Sequence, residues 1–377
     1  MTRVVVLGAG FGGLELSSRL SAEFGDQLEV VLIDRAEGFT FGFSKLDVLF
    51  GRKTSDEVLH RYRDLVKPGV RFVRAQVLSI DPAPRQVETD AGSFTADVLV
   101  VALGADLRPE ETPGLLEAGQ EFYSVEGAIA ARAALDAFDG GRILIGVAAT
   151  PYKCPPAPSE TALLLHDELV ARGLRDRSEI ALVVPMPKPV PPAPSASAAI
   201  LARFEQLGIG WYPERIIRSL DAERKVAVLS DGEELPFDLF LGVPRHRAPQ
   251  VVVDSGLAVD GWIPADPATL ETAFPDVYAL GDIASTGAPK AGAFAEGQAA
   301  VVAERIAARL RGTDASAVYA GVGACYLEFG AGEVARVEVA FTPGQPPAGG
   351  IVGPAVELAA DKVEFAASRT RRWFGTE

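Results

Sequence analysis

The 377-residue chain has few cysteines and histidines, no long apolar run and fewer basic than acidic residues. With only two cysteines, Cys154 and Cys325, it is not a disulfide-stapled scaffold. The three histidines lack the spacing of metal ligands, so no metal site is expected at His60, His166 or His246. No apolar stretch approaches the roughly 20 residues that a membrane span needs.

The charge balance also narrows the classes of partner. Acidic residues outnumber basic ones, 51 to 36, which gives a formal net charge of −15. Nucleic acid requires a basic face, so no nucleic-acid partner is expected. Strand-like sequence begins at Arg3 and leaves no room for a secretory signal, so we expect a cytoplasmic protein. The hydrophobic fraction of 48% indicates a well-buried chain of two or three domains.

The first 34 residues carry a complete dinucleotide-binding pattern. An apolar strand, Val4 to Leu7, is followed by a glycine turn, an amphipathic helix over 14–24 and a second strand ending in Asp34. The glycines allow a tight turn and let backbone amides approach a pyrophosphate, while Asp34 suits the ribose hydroxyls. The glycines that we expect to bind the nucleotide are Gly8, Gly10, Gly12 and Gly13.

Two later segments identify the nucleotide. Residues 97–105 predict a strand running into a small-residue turn, and residues 277–282 predict a strand that ends in Gly281 and Asp282. With the first pattern, they resemble the glutathione-reductase-like flavoproteins with two dinucleotide domains. That resemblance implies FAD, with Asp282 on the ribityl chain and the N-terminus of a helix over about 294–310 facing the flavin. It adds the cofactor residues Ala102, Gly104, Lys290 and Gly292.

The middle of the chain predicts a second, degenerate βαβ unit. Strands at 142–145 and 180–184 bracket a helix at 159–172, and a further strand pair is expected at 225–229 and 238–241. The turn after the first strand, residues 146–151, lacks the glycine pattern. The second strand ends in Val-Pro-Met instead of an acid for the ribose. Both requirements for a second dinucleotide fail together, which disfavours NAD(P)H as the reductant.

Cys154 follows this turn directly, in a proline-rich sequence from Tyr152 to Glu160. This sequence and Gly323 to Phe329 resemble the sulfide:quinone oxidoreductases and flavocytochrome c sulfide dehydrogenases. Further matches lie at 242–245, 254–258 and 289–296. The resemblance implies that Cys154 and Cys325 meet beside the flavin and alternate between thiol, disulfide and polysulfide forms. It also implies that Glu160 handles protons there.

The implied chemistry is thiol exchange followed by two-electron transfer to the flavin. Hydrosulfide attacks an S–S bond and leaves a persulfide and a thiolate. A lowered thiol pKa would favour this, and Pro155, Pro156 and Pro158 are expected to hold the backbone out of a helix. The plainer alternatives are two inert buried thiols and, for Glu160, a helix cap.

Two departures from the resemblance limit it. No third cysteine occurs at 39–45 or 122–124, so FAD should be noncovalent and mechanisms that need three thiols do not transfer. The tail over 361–374 offers one amphipathic helix with Phe365, Trp373, Phe374 and three arginines. It either docks on anionic lipid or closes over the flavin domain, and we favour the second.

We therefore predict an α/β fold with two Rossmann-like domains, the second degenerate, and a small C-terminal α+β region. The expected domains are 1–110 and 250–312 for FAD, 111–249 for the degenerate copy and 313–377 for the C-terminal region. The predicted function is oxidation of sulfide or a small persulfide, with a quinone as acceptor. The alternatives are an NADH:quinone-type flavin reductase and a low-turnover redox sensor. Membrane contact is at most peripheral, on the inner face of the cell membrane. The oligomeric state is left open, a homodimer included.

Overall fold

A computed structural model describes residues 1–342 and 344–375. Its α-helices alternate with strands through most of the chain, as expected for an α/β protein. The helices are α1 (Phe11–Phe24), α2 (Ser44–Leu49), α3 (Leu115–Ala118), α4 (Val125–Ala137), α5 (Ala157–Ala171), α6 (Pro194–Leu207), α7 (Gln250–Asp254), α8 (Gly292–Arg311) and α9 (Leu358–Phe374).

Among the described residues, the strands form two five-stranded parallel sheets, one short parallel pair and several small antiparallel sheets. The first ten are β1 (Arg3–Leu7), β2 (Glu29–Asp34), β3 (Gly38–Phe39), β4 (His60–Arg61), β5 (Val70–Arg74), β6 (Val77–Asp81), β7 (Gln86–Thr89), β8 (Gly92–Thr95), β9 (Val98–Val101) and β10 (Asp106–Arg108). The next nine are β11 (Gln120–Glu121), β12 (Gly141–Val147), β13 (Ser178–Val183), β14 (Ile209–Tyr212), β15 (Ile217–Asp221), β16 (Val226–Leu229), β17 (Glu234–Pro236), β18 (Leu239–Val243) and β19 (Arg245–Arg247). The last six are β20 (Ile263–Pro264), β21 (Val277–Ala279), β22 (Ala284–Ser285), β23 (Val322–Gly330), β24 (Glu333–Ala340) and β25 (Ala348–Ala355).

The first parallel sheet has the order β21-β9-β1-β2-β5 and is buried on both faces. Side chains alternate along β1, because successive strand residues point to opposite faces. Val4 and Val6 pack with α1 and α8, whereas Val5 and Leu7 pack with the β6–β8 sheet. Because its strands are parallel, their carboxyl ends meet at one edge, where such folds bind nucleotides.

The second parallel sheet has the order β11-β18-β12-β13-β14. Its central strand, β12, pairs in parallel with both β13 and β18. The strand pair expected at 225–229 and 238–241 is wrong as a pair. Strand β16 belongs to the small antiparallel sheet β15–β17, and β18 belongs to the parallel sheet. Hydrophobic periodicity identifies strands but does not identify their partners.

The smaller elements complete the predicted fold class, which is confirmed. The short pair β10–β19 lies where the chain passes from the first parallel sheet to the second and back. An antiparallel sheet, β23–β25, and α9 form the C-terminal α+β region. Of its expected range, 313–377, Pro343, Thr376 and Glu377 lie outside the described residues.

Helix α9 packs against the first domain through its C-terminal end. Trp373 and Phe374 are buried, and the Trp373 indole Nε1 donates a hydrogen bond to Glu15 Oε2 at 2.7 Å. Arg369 donates to Glu296 Oε1 at 2.6 Å, and Arg372 also pairs with Glu15. Because both aromatic rings are buried, they do not face a lipid surface. Among the described residues, no helix combines the length and apolar character needed to cross a bilayer.

Candidate active site

The turn between β1 and α1 is three residues long, 8–10, and forms a cradle for an anion. Gly8 has φ +100°, and a β-carbon on it would lie 2.3 Å from the Ala102 carbonyl oxygen. A β-carbon on Gly13 would lie 1.9 Å from the Gly8 oxygen. The space beside Gly10 is open, and no side chain caps α1. The first amides of the helix are therefore available to a pyrophosphate, and these residues fit a dinucleotide.

Asp34 lies beside this turn because β2 pairs in parallel with β1. Its Oδ2 accepts a hydrogen bond from the Ala9 amide at 2.7 Å, and its Oδ1 accepts one from Ala36 at 2.8 Å. The carboxylate is thus held at the carboxyl edge of the sheet, the position from which an acid contacts ribose hydroxyls.

The other predicted cofactor residues meet at the same edge. Gly104 has φ +68° with open space beside it, and Gly281 has φ +78°. The Gly281 amide donates to Gln298 Oε1 of α8 at 2.7 Å. At the start of α8, a β-carbon on Gly292 would lie 2.7 Å from the Phe11 ring. Because β1, β9 and β21 are neighbouring parallel strands, the glycines of these distant segments lie at one edge of the sheet.

Lys290 supports the loop that carries Asp282. Its Nζ donates to the Asp282 carbonyl oxygen at 2.5 Å and lies 3.5 Å from the centre of the Trp262 ring. Burial lowers the pKa of Lys290 to about 8. Burial also raises the pKa of the Asp282 carboxyl, against the opposing charges of nearby lysines. Lys290 thus shapes this loop, in addition to any contact with a cofactor.

The corresponding turn of the second unit differs from the first. Residues 148–156, nine in all, separate β12 from α5, whereas three separate β1 from α1. A β-carbon on Gly146 would lie 2.4 Å from the Ile217 side chain and 2.7 Å from Phe240, so this glycine packs against the core. After β13 comes buried Val184 instead of an acid. The phosphate cradle and the ribose carboxylate are both missing here, as the sequence predicts.

Cys154 lies in this nine-residue loop and is held to the first domain. Its amide donates to the Lys290 carbonyl oxygen at 2.7 Å, and its φ is +51°. Its carbonyl oxygen accepts from the Ala157 amide at 3.0 Å and from the Tyr123 hydroxyl at 3.3 Å. One proline expectation is wrong: Pro158 lies inside the first turn of α5, where its missing N–H costs no intrahelical bond.

Cys325 lies on β23, which packs against α5, and both thiols are half-buried. No S–S bond joins them. Burial and the neighbouring Cys325 raise the pKa of Cys154, and burial raises the pKa of Cys325 to about 11. The positive charge of Lys45 opposes the first shift only in part. Neither thiol therefore has the lowered pKa that would favour thiol exchange.

Glu160 is buried, with 2% of its surface exposed. Its negative charge raises the pKa of both thiols. Its Oε1 accepts from the Glu328 amide at 3.0 Å and from Lys362 Nζ at 3.4 Å. Burial raises the pKa of Glu160, and Lys362 opposes that shift. The carboxylate therefore joins α5 to β23 and α9 instead of capping its own helix.

Sequence reasoning assigned no role to four charged residues near this site. Lys362 Nζ donates to Glu328 Oε1 at 2.5 Å, and Arg52 donates to the same carboxylate at 2.5 Å and 3.0 Å. Lys45 is half-buried on α2, and burial and Lys153 lower its pKa to about 8. Nothing local marks these residues, because each acquires its neighbours only when distant segments pack together.

A cavity of about 660 Å³ opens between α9 and the segment that leads into α2. Phe41 and Phe43 form part of its wall, and the inner side of α9 forms another part. Glu328, Lys362 and Arg52 also line it. Its volume lies within the range of pockets for small organic ligands. Its wall is mixed: apolar side chains lie beside seven charged ones, Asp47, Arg52, Lys53, Glu57, Glu328, Lys362 and Arg371.

Comparisons with known proteins bear on the family of this chain. Residues 2–305 match the family described as "Pyridine nucleotide-disulphide oxidoreductase". The chain is 24% identical over 353 residues to a mitochondrial sulfide:quinone oxidoreductase of Mus musculus, covering 90% of this chain and 78% of the relative. It is 33% identical over 132 residues to a type II NADH:quinone oxidoreductase of Staphylococcus saprophyticus, covering 34% of this chain and 32% of the relative.

A solved structure shares the whole architecture. The sulfide:quinone oxidoreductase from Aquifex aeolicus has a TM-score of 0.85 and 19% identity, covering 100% of this chain and 93% of that one. At this identity the likeness shows the fold. The family match and these relatives imply a flavin cofactor, FAD, for which the glycine cradle and Asp34 fit. With a matching sequence over more than three quarters of its length, the chain belongs to the pyridine nucleotide-disulphide oxidoreductase family and is an oxidoreductase.

Proposed function

We propose that this oxidoreductase passes two electrons from a small sulfur donor, sulfide or a persulfide, through Cys154 and Cys325 to FAD and then to a quinone. The observation that supports the proposal is that two cysteines 171 positions apart (325 minus 154) lie on segments that pack together: Cys154 precedes α5, Cys325 lies on β23, and β23 packs against α5. Cys154 lies in the loop that replaces a second nucleotide turn, and its amide donates to the Lys290 carbonyl oxygen. Both curated relatives described above are named for a quinone acceptor.

The residues that would hold FAD follow from the site. The amides at the start of α1 would bind the pyrophosphate, Asp34 the ribose, and Asp282 with the start of α8 the flavin end. When bound, FAD supplies an acceptor for an electron pair and a donor to the quinone. We propose noncovalent binding, since no cysteine lies at 39–45 or 122–124 to attach it.

The thiol step balances as an exchange. Hydrosulfide attacks a Cys154–Cys325 disulfide, forms an S–S bond to one cysteine, and releases the other as a thiolate. The resulting persulfide loses its proton to a base. Joining its outer sulfur to the released thiolate, as a trisulfide, gives up two electrons, which FAD would accept when bound. Glu160 would accept the persulfide proton, because it is a buried carboxylate whose charge acts on both thiols.

The cavity beside α9 is the proposed quinone pocket. Its wall of Phe41, Phe43 and the alanines of α9 suits a planar apolar ring, and Lys362 offers a proton donor to a ring oxygen. A donor pocket on the second domain is disfavoured, since the loop 148–156 does not form a phosphate cradle.

Anaerobic mixing of the purified holoprotein with sulfide tests the proposal. Sulfide should bleach the oxidised flavin absorbance rapidly in the wild type and slowly in Cys154→Ser and Cys325→Ser. Ser93→Ala, at an exposed position of strand β8, is a matched control that should behave as the wild type. Adding a soluble quinone should restore the absorbance.

Two other outcomes would favour the alternatives. If NADH bleaches the flavin and sulfide does not, the protein is an NADH:quinone-type reductase, an activity named for the staphylococcal relative. If neither donor bleaches it within minutes, a low-turnover redox sensor becomes the better description.

A further inference from the structure

Three buried or half-buried charged side chains, Glu160, Glu328 and Lys362, and the more exposed Arg52 lie between the segment of the cysteines and the cavity. Glu160 does not line the cavity, whereas Lys362, Glu328 and Arg52 do. Lys362 Nζ lies between the two carboxylates, 3.4 Å from Glu160 Oε1 and 2.5 Å from Glu328 Oε1. Lys362 is 8% exposed, so its contacts with Glu160 are shielded from solvent.

The charged groups around Lys362 have two roles: some exchange protons, and others hold those groups in place. Glu160 of α5 and Glu328 of β23 face its ammonium, the Phe43 ring lies 4.9 Å away, and the charge of Arg52 lies beyond Glu328. Burial raises the pKa of Glu328, but Arg52 and Lys362 outweigh this and lower it to about 2. Glu328 therefore stays ionised and supports its neighbours. Burial lowers the pKa of Lys362, but Glu160 and Glu328 outweigh this and raise it, so Lys362 keeps its proton until a strong base, such as an oxygen of a reduced quinone, is present.

We propose that Glu160 and Lys362 form a proton path from the cysteine pair to the cavity, held in place by Glu328 and Arg52. The path rests on the proposed function, because it needs a proton source at the sulfurs and a proton acceptor in the cavity. The overall reaction, HS⁻ + quinone + H⁺ → sulfane sulfur + quinol, releases one proton at the sulfurs and consumes two at the quinone.

The steps balance within one turnover. Lys362 donates its proton to an oxygen of the reduced quinone and becomes neutral. Glu160 accepts the proton that the persulfide loses and passes it to Lys362, which restores both charges. The second proton of the quinol enters from solvent through the cavity mouth, near exposed Val363. Proton release at the sulfurs and proton uptake in the cavity are thereby coupled through Glu160 and Lys362, both of which are buried.

The path predicts that Lys362 acts by releasing a proton and not only through its charge. Lys362→Arg keeps a cation between the carboxylates, but a guanidinium is not deprotonated in proteins. Lys362→Met removes both the charge and the proton. Both variants should slow reoxidation of the reduced flavin by a soluble quinone by about 10²-fold or more, the effect typical of a lost general acid.

Reoxidation by ferricyanide provides the internal control, since this one-electron acceptor needs no proton at the same site. Its rate should equal the wild-type rate in Lys362→Arg. The exposed Lys188, on the loop after β13, provides the control variant Lys188→Met, which should match the wild type with both acceptors. Glu160→Gln should slow bleaching by sulfide but leave the first reoxidation by quinone fast, because Lys362 already holds its proton.

Stopped-flow absorbance of the flavin measures all of these rates. The proton path is overturned if Lys362→Arg reoxidises with quinone as fast as the wild type, or if ferricyanide and quinone reoxidation slow equally in that variant. Reducing the flavin with light instead of sulfide separates the two proposals. A wild-type protein that sulfide does not bleach contradicts the proposed function, while the quinone arm still decides the role of Lys362.

Discussion

Glu328→Gln is expected to destabilise the protein in a pH-dependent way. The Glu328 carboxylate accepts two hydrogen bonds from Arg52 and one from Lys362, and these lower its pKa from 4.5 to about 2 despite burial. That lowering corresponds to about 3 kcal/mol of stability at neutral pH. Glutamine keeps the shape of the side chain but loses this charge. Arg52 retains a partner in Asp47, at 3.0 Å, so it is not left unpaired.

The sign of the pH dependence follows from the direction of the shift. A carboxyl whose pKa is lower in the folded state stabilises the protein above its unfolded pKa, and the contribution is lost as pH falls towards the folded value. The difference between wild type and Glu328→Gln should therefore be constant near neutral pH. It should shrink below about pH 4.5 and reach about half or less near pH 3.

Urea unfolding followed by far-ultraviolet circular dichroism measures this difference. Glu338→Gln is a matched control on the neighbouring strand β24. Glu338 forms an ion pair with Arg336, but its side chain is 54% exposed, so its loss should cost about 0–1 kcal/mol. Equal destabilisation by the two variants, or a Glu328→Gln effect that does not change with pH, would refute the assigned burial and pairing of Glu328.

Three further changes test other parts of the structure. A β-carbon in Gly8→Ala would lie 2.3 Å from a backbone oxygen, at φ +100°, so the purified variant should contain far less flavin per protein by absorbance. Trp373→Ala removes a fully buried ring and should cost about 3–5 kcal/mol in urea unfolding, whereas Val363→Ala on the exposed side of α9 should change stability by less than about 0.5 kcal/mol. Because burial raises the pKa of Cys325 to about 11, alkylation of this thiol by iodoacetamide in Cys154→Ser should keep accelerating up to about pH 11. A plateau near pH 8 would contradict that burial.

The first dinucleotide cradle could be predicted from sequence because its determinants are local. Gly8, Gly10 and Gly13 lie within six positions, and Asp34 follows at the end of the next strand. Parallel pairing of β1 and β2 necessarily places that strand end beside the turn. The missing second cradle was predictable for the same reason, since it is an absence of glycines and of one acid at known spacings.

The sheet assignment of β16 and the thiol pKa values could not be predicted in this way. A strand such as β16 shows its period but not which edge it joins. Whether a thiol is acidic depends on the balance between burial and nearby charge, and burial outweighs Lys45 at Cys154. Neither the partners of a strand nor the pKa of a thiol can be read from a local sequence pattern.

The sequence by itself determined the glycine turn, the loss of its second copy and the identity of two cysteines, because each depends on residues that are neighbours in the chain. Only the tertiary structure decided what surrounds those cysteines. The contact between Glu160 and Lys362 joins residues 202 positions apart, and the contact between Arg52 and Glu328 spans 276. Such contacts arise when α5, β23 and α9 bury their surfaces against one another, and burial also gives these charges their unusual ionisation.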